Sequence, residues 1–512
     1  MTDAHGTATK AGKREWIGLL VIALPCLLYS MDLTVLHLAV PKLTADLQPS
    51  SSELLWIIDI YGFLVAGSLI TTGTLGDRIG RRRLLLIGAA FFGAASIVAA
   101  FAPTARLLIA ARALLGVAGA TIAPSTMSLI RNMFLDPDER RVAISVWITS
   151  FSLGGAIGPV LGGFLLEYFH WGSVFLISVP VMVLLLIVGP RLLPEYRDPA
   201  AGKPDLPSAA LSIAAVLLVI YGLKQLAQAG LGFLSAVPVL AGMLLGWLFV
   251  RRQRRLADPL IDLALFRIPA FRASLVLYGG GILMLFGGFL FIPQYLQLVL
   301  GLSPMIAGLW TMPWAIGFVV GSLATPALAK RIPPDLLMSR GMAIAAIGYL
   351  VLALVSTRTG QLPLFAVATV LMTLFSSPLF TLTNDVIISA APPERAGAAS
   401  GISETCAELG GALGIALFGS LGVALYRGML TDALPAALSA DHGALALSTL
   451  AGAVQVSAQL PAPVGAAVAG AASDAFLRGL VLSTVIGGVG TLVLAVFAAS
   501  TFPRVGQSSP SP

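Results

Sequence analysis

The sequence predicts an all-α integral membrane protein of fourteen transmembrane helices, grouped six, two and six, and three observations carry that prediction. Of 512 residues, 57% are hydrophobic and only 11% are charged, against about 25% charged in a soluble domain. No soluble fold hides that much apolar surface, so the solvent must be lipid. Apolar runs of about 20 residues recur along the whole chain, each long enough to cross a bilayer as a helix. They must be helices because lipid offers the backbone no hydrogen-bond partners. Finally, the basic residues fall in alternate connecting segments, which fixes an orientation.

In chain order, the spans are expected at about 16–40, 53–76, 83–103, 106–131, 141–166, 171–193, 207–228, 232–250, 271–298, 305–329, 336–356, 361–390, 397–426 and 476–502. With the N-terminus inside, 24 of the 31 Lys and Arg lie in inner segments and 5 in outer ones, while Arg112 and Lys224 lie within spans. Both tails, 1–15 and 503–512, are therefore expected in the cytoplasm. The net charge of +7 belongs to these orientation clusters and gives no reason to expect nucleic acid. The first apolar run, from Trp16, is too long for a signal-peptide core and lacks a small-residue cleavage site, so no cleaved leader is expected.

Residues 16–193 are expected to form one six-helix half, 207–250 an inserted pair, 251–272 a basic cytoplasmic loop and 271–502 the second half. Sequence repetition between the halves is faint; the clearest echo pairs Gly73–Arg83 with Leu328–Ile332. Paired halves around a midplane site are a common transporter plan. Segment 428–475 is Ala-rich and broken by Gln455, Gln459, Pro461 and Pro463. It is expected to be an extracytoplasmic loop with short amphipathic pieces, between helices 13 and 14.

Four acids lie well inside spans: Asp32, Asp59, Glu404 and Glu408. A charge at the bilayer centre costs at least about 2.5–3.5 kcal/mol, so each should face water or protein. Asp32 lies nine residues before Pro41 and Asp59 six after Glu53, about 13 and 9 Å from the same membrane side, so the two can share a depth. Glu404 and Glu408 are four residues apart on one helix face. Two ionised carboxylates there would repel each other, which suits a site that alternately holds protons and a cation. The plainer alternative for each acid is a structural bond to arginine or backbone, and for Asp385, near the inner end of helix 12, that alternative is preferred.

Arg112, six residues beyond Arg106, is placed to tune an acid or relay a proton, or else to form a plain salt bridge. His37, five residues beyond Asp32, is a candidate proton relay or a polar pore-lining residue. Lys224 is expected to snorkel. Tyr29, Trp56, Tyr61 and Trp147 lie near the acids and can attract a delocalised cation to their faces; packing or interfacial anchoring would account for them equally well. In helix 5, Gly154, Gly158, Pro159, Gly162 and Gly163 permit close helix approach and a bend. They serve either packing alone or a contact between halves that seals one conformation.

Cys26 and Cys406, the two cysteines, lie in apolar runs, so neither a disulfide nor a metal framework is expected. There is no nucleotide-binding loop, metal cluster or nucleophile elbow. Transport is therefore expected to run on an ion or substrate gradient, without cofactor or enzymatic step.

On these residues the chain resembles the major facilitator superfamily, and within it the fourteen-helix drug:proton antiporters, over nearly its whole length. Asp32–Pro41 (DLTVLHLAVP) is similar to the family's helix 1 motif, and Gly73–Arg83 (GTLGDRIGRRR) to the motif between helices 2 and 3. Arg112–Gly119 (RALLGVAG) is similar to the helix 4 motif tied to proton coupling, and Gly154–Gly163 (GGAIGPVLGG) to the antiporter motif of helix 5. Trp56–Tyr61 (WIIDIY) and the Glu404/Glu408 pair most resemble the branch that exports quaternary ammonium antiseptics, biguanides and cationic dyes. The resemblance implies the major facilitator fold with two pseudo-symmetric halves, alternating access, and lipophilic cations and protons as ligands of a monomer set in membrane lipid. It implies that Asp32 and Asp59 serve as cation and proton sites in the first half, and Glu404 and Glu408 in the second. It also implies that Gly73, Asp77, Arg78, Gly80 and Arg81 latch the cytoplasmic side. Some relatives place an acid in helix 10, where this chain reads Trp314–Ser322 (WAIGFVVGS). Export of a neutral or anionic metabolite or lipid precursor on the same fold is the main alternative, and a non-transporting membrane scaffold or sensor the remote one.

Overall fold

The computed structural model describes residues 10–197, 205–229, 232–256, 259, 261, 263–356, 361–390, 396–435 and 438–506. Fourteen helices are long and apolar enough to span a membrane, and no strand occurs among the described residues. The first six are α1 (Lys13–Leu47), α2 (Ser51–Ile79), α3 (Arg81–Ala100), α4 (Ala105–Met133), α5 (Pro137–Tyr168) and α6 (Ser173–Leu192). Then come α7 (Leu206–Ala229) and α8 (Phe233–Gln253). The last six are α9 (Pro269–Val299), α10 (Pro304–Ala329), α11 (Pro334–Ser356), α12 (Leu362–Ser389), α13 (Ala396–Thr431) and α14 (Ala462–Gly506). The chain ends outside the described residues, 1–9 and 507–512, are the outermost parts of the two expected tails.

Local chemistry sets several of these boundaries. Ser50 and Glu53 form a capping box at the start of α2: the Ser50 hydroxyl accepts from the Glu53 amide at 3.3 Å, and Glu53 accepts from the Ser50 amide at 3.0 Å, satisfying two otherwise orphaned donors. Ser303 caps α10 ahead of Pro304, where the missing proline N–H costs nothing. Between α2 and α3, Gly80 has φ +112°, a conformation open to glycine alone.

The near side of the bundle carries the start of α1, and the far side its end. In the first half, α1 packs on α5, α2 on α4, and α3 on α4 and α6. In the second, α9 packs on α13, α10 on α12, and α11 on α12 and α14. The inserted helices pair with each other, and α7 docks against both α2 and α13. The halves meet through α5 against α10 and α2 against α13. A Cβ on Gly154 would lie 2.1 Å from the Leu27 carbonyl oxygen of α1, so no side chain fits there. Gly158 and Gly162 likewise sit on Thr34 and Val35 of α1.

On the far side, the segment expected as a loop with short amphipathic pieces holds two short helices and the first turns of α14. The helix of α14 starts at Ala462, because the weakly apolar Ala-rich stretch before 476 continues it. At 45 residues it is about 65 Å long, roughly twice the hydrocarbon thickness. Its projecting end supports a short helix, Leu450–Gln459, which follows another, Ala440–Ser448. This cap is tied down across the halves. Tyr426 donates to the Ala446 carbonyl at 2.9 Å, Arg427 donates to Ser51 Oγ at 3.1 Å, and Ser51 donates to the Ser448 carbonyl.

Candidate functional site

The centre of the bundle is organised by Arg112, seven residues into α4 and all but fully buried. Its guanidinium donates to Asp32 Oδ2 on α1 at 2.5 Å, and to the Ile57 and Ile58 carbonyls of α2 at 3.1 and 3.4 Å. It also lies 4.7 Å over the Tyr61 ring. Asp32 therefore sits beside the Asp59 turn of α2, joined through one cation that three helices share. Because side chains of the pair are only 2% and 14% exposed, their mutual neutralisation is what makes either tolerable inside the bundle.

Beside this cluster lies a cavity of about 110 Å³ between the halves. His37 of α1, Asp59 of α2 and Arg112 line one wall, and Ile282 and Phe286 of α9 with Glu408, Ala412 and Ile415 of α13 line the other. Asp59 is 1% exposed. Glu408 accepts a hydrogen bond from Tyr29 Oη of α1 at 2.5 Å, a contact from one half to the other. Glu404, one turn nearer the near side on the same face of α13, is exposed. The structure thus separates the two glutamates: one is held at the seam, the other faces open space below it.

His37 is 3% exposed, stands edge-on to Phe289 at 5.5 Å, and its Nδ1 has no hydrogen-bond partner among the described residues. Trp147 donates to Thr126 Oγ1 at 2.9 Å and starts a run of aromatic contacts, to Phe151 at 4.7 Å, then Tyr29 at 5.7 Å, then Tyr61 at 6.1 Å. Trp56 is not brought to the cavity. It packs against a cluster made by Phe63 of α2, Ile220 of α7 and Ala412 and Ala416 of α13. Phe151, Phe286 and Phe289 were not singled out from the sequence, since a phenylalanine in an apolar span looks like any other lipid-facing or core residue.

In the α2–α3 turn, a Cβ on Gly80 would meet Glu195 Oε1 at 2.4 Å. Arg82 pairs with Glu195 at 3.5 Å and donates to the Pro190 and Leu193 carbonyls at 3.1 and 3.0 Å. Arg81 is buried, reaching the Pro124 carbonyl at 3.5 Å, and Arg78 is exposed. Gly73 lies 4.0 Å from Pro124 by the same Cβ measure. The Asp77 side chain lies outside the described residues. The partners named for this motif all belong to the first half, and Glu195 was missed because nothing in its local sequence marks it.

The helix 5 motif divides by face. While Gly154, Gly158 and Gly162 pack on α1, Gly163 and Pro159 face α10. A Cβ on Gly308 of α10 would lie 2.3 Å from the Pro159 carbonyl oxygen, and one on Gly163 2.7 Å from that of Pro304. This seam lies toward the far side, where Gln297 of α9 also donates to the Leu38 carbonyl at 3.0 Å. Replacing Gly308 with valine is expected to wedge the far side apart. In cysteine-labelling experiments, a reporter cysteine at Leu38 should react with a membrane-impermeant reagent several-fold faster in the Gly308→Val protein than in its parent; an unchanged rate would show that the seam does not close that side.

Chemically, the arrangement offers carboxylates from both halves on one largely apolar cavity, suited to holding protons or an organic cation. No cluster able to hold a metal ion occurs among the described residues. The sequence model described as Major Facilitator Superfamily matches residues 22–415. The chain is 43% identical over 505 residues to the multidrug efflux pump LfrA of Mycolicibacterium smegmatis, covering 98% of this chain and 100% of that protein. It is 38% identical to the methyl viologen resistance protein SmvA of Salmonella typhimurium, covering 94% and 97% respectively. The tetracenomycin C resistance and export protein of Streptomyces glaucescens is 30% identical, covering 97% and 94%. Among solved structures, an inward-facing bacterial homologue of the human lysosomal transporter Spinster matches with a TM-score of 0.71 at 18% identity, covering 98% of this chain and 100% of that one, a likeness of fold.

Proposed function

The chain belongs to the Major Facilitator Superfamily, as a multi-pass membrane transporter akin to drug efflux pumps and not an enzyme, and from that premise we propose that it exports lipophilic cations in exchange for protons. The observation that carries this reading is the meeting of Asp59 and Glu408, from opposite halves, on one apolar-walled cavity. A carboxylate in such a place favours whichever positive partner reaches it, a proton or a desolvated organic cation, over no partner at all.

The positive-inside distribution makes the near side cytoplasmic. A cation entering there meets exposed Glu404 first, then the rings of Trp147, Phe151 and Tyr29, and then Glu408, where it competes with the Tyr29 hydroxyl and with protons. Asp32, held by Arg112, acts on the cycle through that arginine rather than by holding the cargo. With the cation bound, the halves rock, the Gly163–Gly308 seam parts, and external protons displace the cation outward. Exchange of one monocation for one proton is electroneutral. Export of a dication for one proton moves a net positive charge outward, at about 2.3 kcal/mol per 100 mV. Two carboxylates on one cavity permit a second proton, and so accommodate dications of the kind named in the methyl viologen resistance relative. Quaternary ammonium compounds, biguanides and cationic dyes fit this chemistry.

The test is efflux of ethidium, a fluorescent lipophilic cation, from energised cells, with and without collapse of the proton gradient. Wild type should export it only while the gradient stands. The combined variant Asp32→Asn, Asp59→Asn, Glu404→Gln, Glu408→Gln, at equal abundance, should not export it. Efflux surviving all four substitutions would sink the reading.

A further inference from the structure

On the near side, the chain leaving α6 folds back across the start of α3. The Arg81 amide donates to the Tyr196 carbonyl at 3.0 Å, and the Arg82 amide to Glu195 Oε1 at 3.1 Å. A recess of about 420 Å³ opens beneath, lined by Arg82, Arg83, Arg197 and Glu195 together with Leu86 and Ile87. Its charges do not cancel. Glu195 is already engaged by Arg82, whose guanidinium also holds two backbone carbonyls. Arg83 and Arg197 are exposed, and neither side chain has a hydrogen bond or ion pair among the described residues.

The wall below these arginines is apolar and runs into the membrane. Ile87 and Phe91 of α3 are 42% and 54% exposed, and Ile187 of α6 is 58% exposed. Guanidinium groups at the level of the headgroups therefore stand directly over an alkyl strip at the level of the acyl chains.

We infer that this groove between α3 and α6 is a binding site for an anionic phospholipid, whose phosphate is held by Arg83 and Arg197 and whose acyl chain lies along Ile87, Phe91 and Ile187. Guanidinium binds phosphate by paired, charge-assisted hydrogen bonds, and basic pockets between helices on the cytoplasmic face are suited to acidic headgroups. A soluble phosphate would gain nothing from the alkyl strip. A zwitterionic lipid would bring a cation of its own against the arginines. The bound lipid would brace the segment that packs on Gly80 and Arg81, so its occupancy bears on the turn between α2 and α3.

Native mass spectrometry of the purified full chain, titrated with phosphatidylglycerol, tests the site. The wild-type protein should retain one tightly held lipid. Arg83→Gln with Arg197→Gln should weaken that binding about thirtyfold, roughly fivefold per arginine near a membrane surface. Ile87→Glu, which sets a carboxylate on the alkyl strip, should weaken it as well. The pair Arg254→Gln and Arg255→Gln, exposed on the same side but outside the groove, should leave it unchanged. Three results would overturn the site: equal loss in the Arg254/Arg255 control, equal binding of phosphatidylethanolamine, or displacement of the lipid by millimolar inorganic phosphate.

Discussion

Glu408→Gln is expected to lower proton-driven cation efflux at least tenfold while leaving protein abundance unchanged. The substitution is nearly isosteric, so the cavity keeps its shape and the amide oxygen can still accept the bond that Tyr29 now makes at 2.5 Å. Only the capacity to carry a charge, and with it to trade a proton for a cation, is removed. A unit charge pair about 4 Å apart contributes roughly 4 kcal/mol at an effective dielectric of about 20, well above the ~1.4 kcal/mol that a tenfold loss requires. The matching change one turn away, Glu404→Gln, should cost less, because among the described residues no hydrogen bond from Glu404 links the two halves as that of Glu408 with Tyr29 does. Efflux of ethidium, measured for both variants in parallel, distinguishes the positions. If Glu404→Gln were the more damaging, the deep cavity would not be the coupling site.

Arg112→Met should be the most destabilising single change at the site, by roughly 3–5 kcal/mol, the usual cost of leaving one member of a buried ion pair alone. The loss has three parts: Asp32 is left with an uncompensated charge, and the carbonyls of Ile57 and of Ile58 each lose their donor. Combining it with Asp32→Asn removes the orphaned charge and should recover much of the loss in thermal midpoint of the purified protein. Efflux should stay lost in the double variant if Asp32 and Arg112 work in the cycle as well as in the fold. Recovered transport would make the pair purely structural.

Much of the fold is legible in the chain because lipid is an unforgiving solvent. Runs such as 83–103 and 171–193 have to be helices, whatever they pack against. The start of α14 at Ala462 was not legible in the same way. Alanine adds little to membrane insertion yet is the best helix former, so a scale of hydrophobicity stops where the helix continues. The acids were legible as well, since charge inside an apolar span is rare and expensive. Their division of labour was not. Nothing local shows that Asp32 is committed to Arg112, eighty residues away, or that Glu408 bonds Tyr29 while Glu404 faces open space.

The aromatics show the same limit from another side. Four aromatics near the acids were candidates, and the three-dimensional arrangement treats each differently. Tyr61 lies under Arg112, Tyr29 holds Glu408, Trp147 begins a run of rings through Phe151, and Trp56 packs where α2, α7 and α13 meet. By itself the sequence determined the class of molecule, the number of its spans and which acids lie within them, because each follows from the cost of placing a residue in lipid. Only the tertiary structure decided which charges neutralise one another and which remain available to a ligand. A helix places its side chains every 100° around its axis, and which of those faces meets a partner is settled by how fourteen helices pack, not by the order of residues along any one of them.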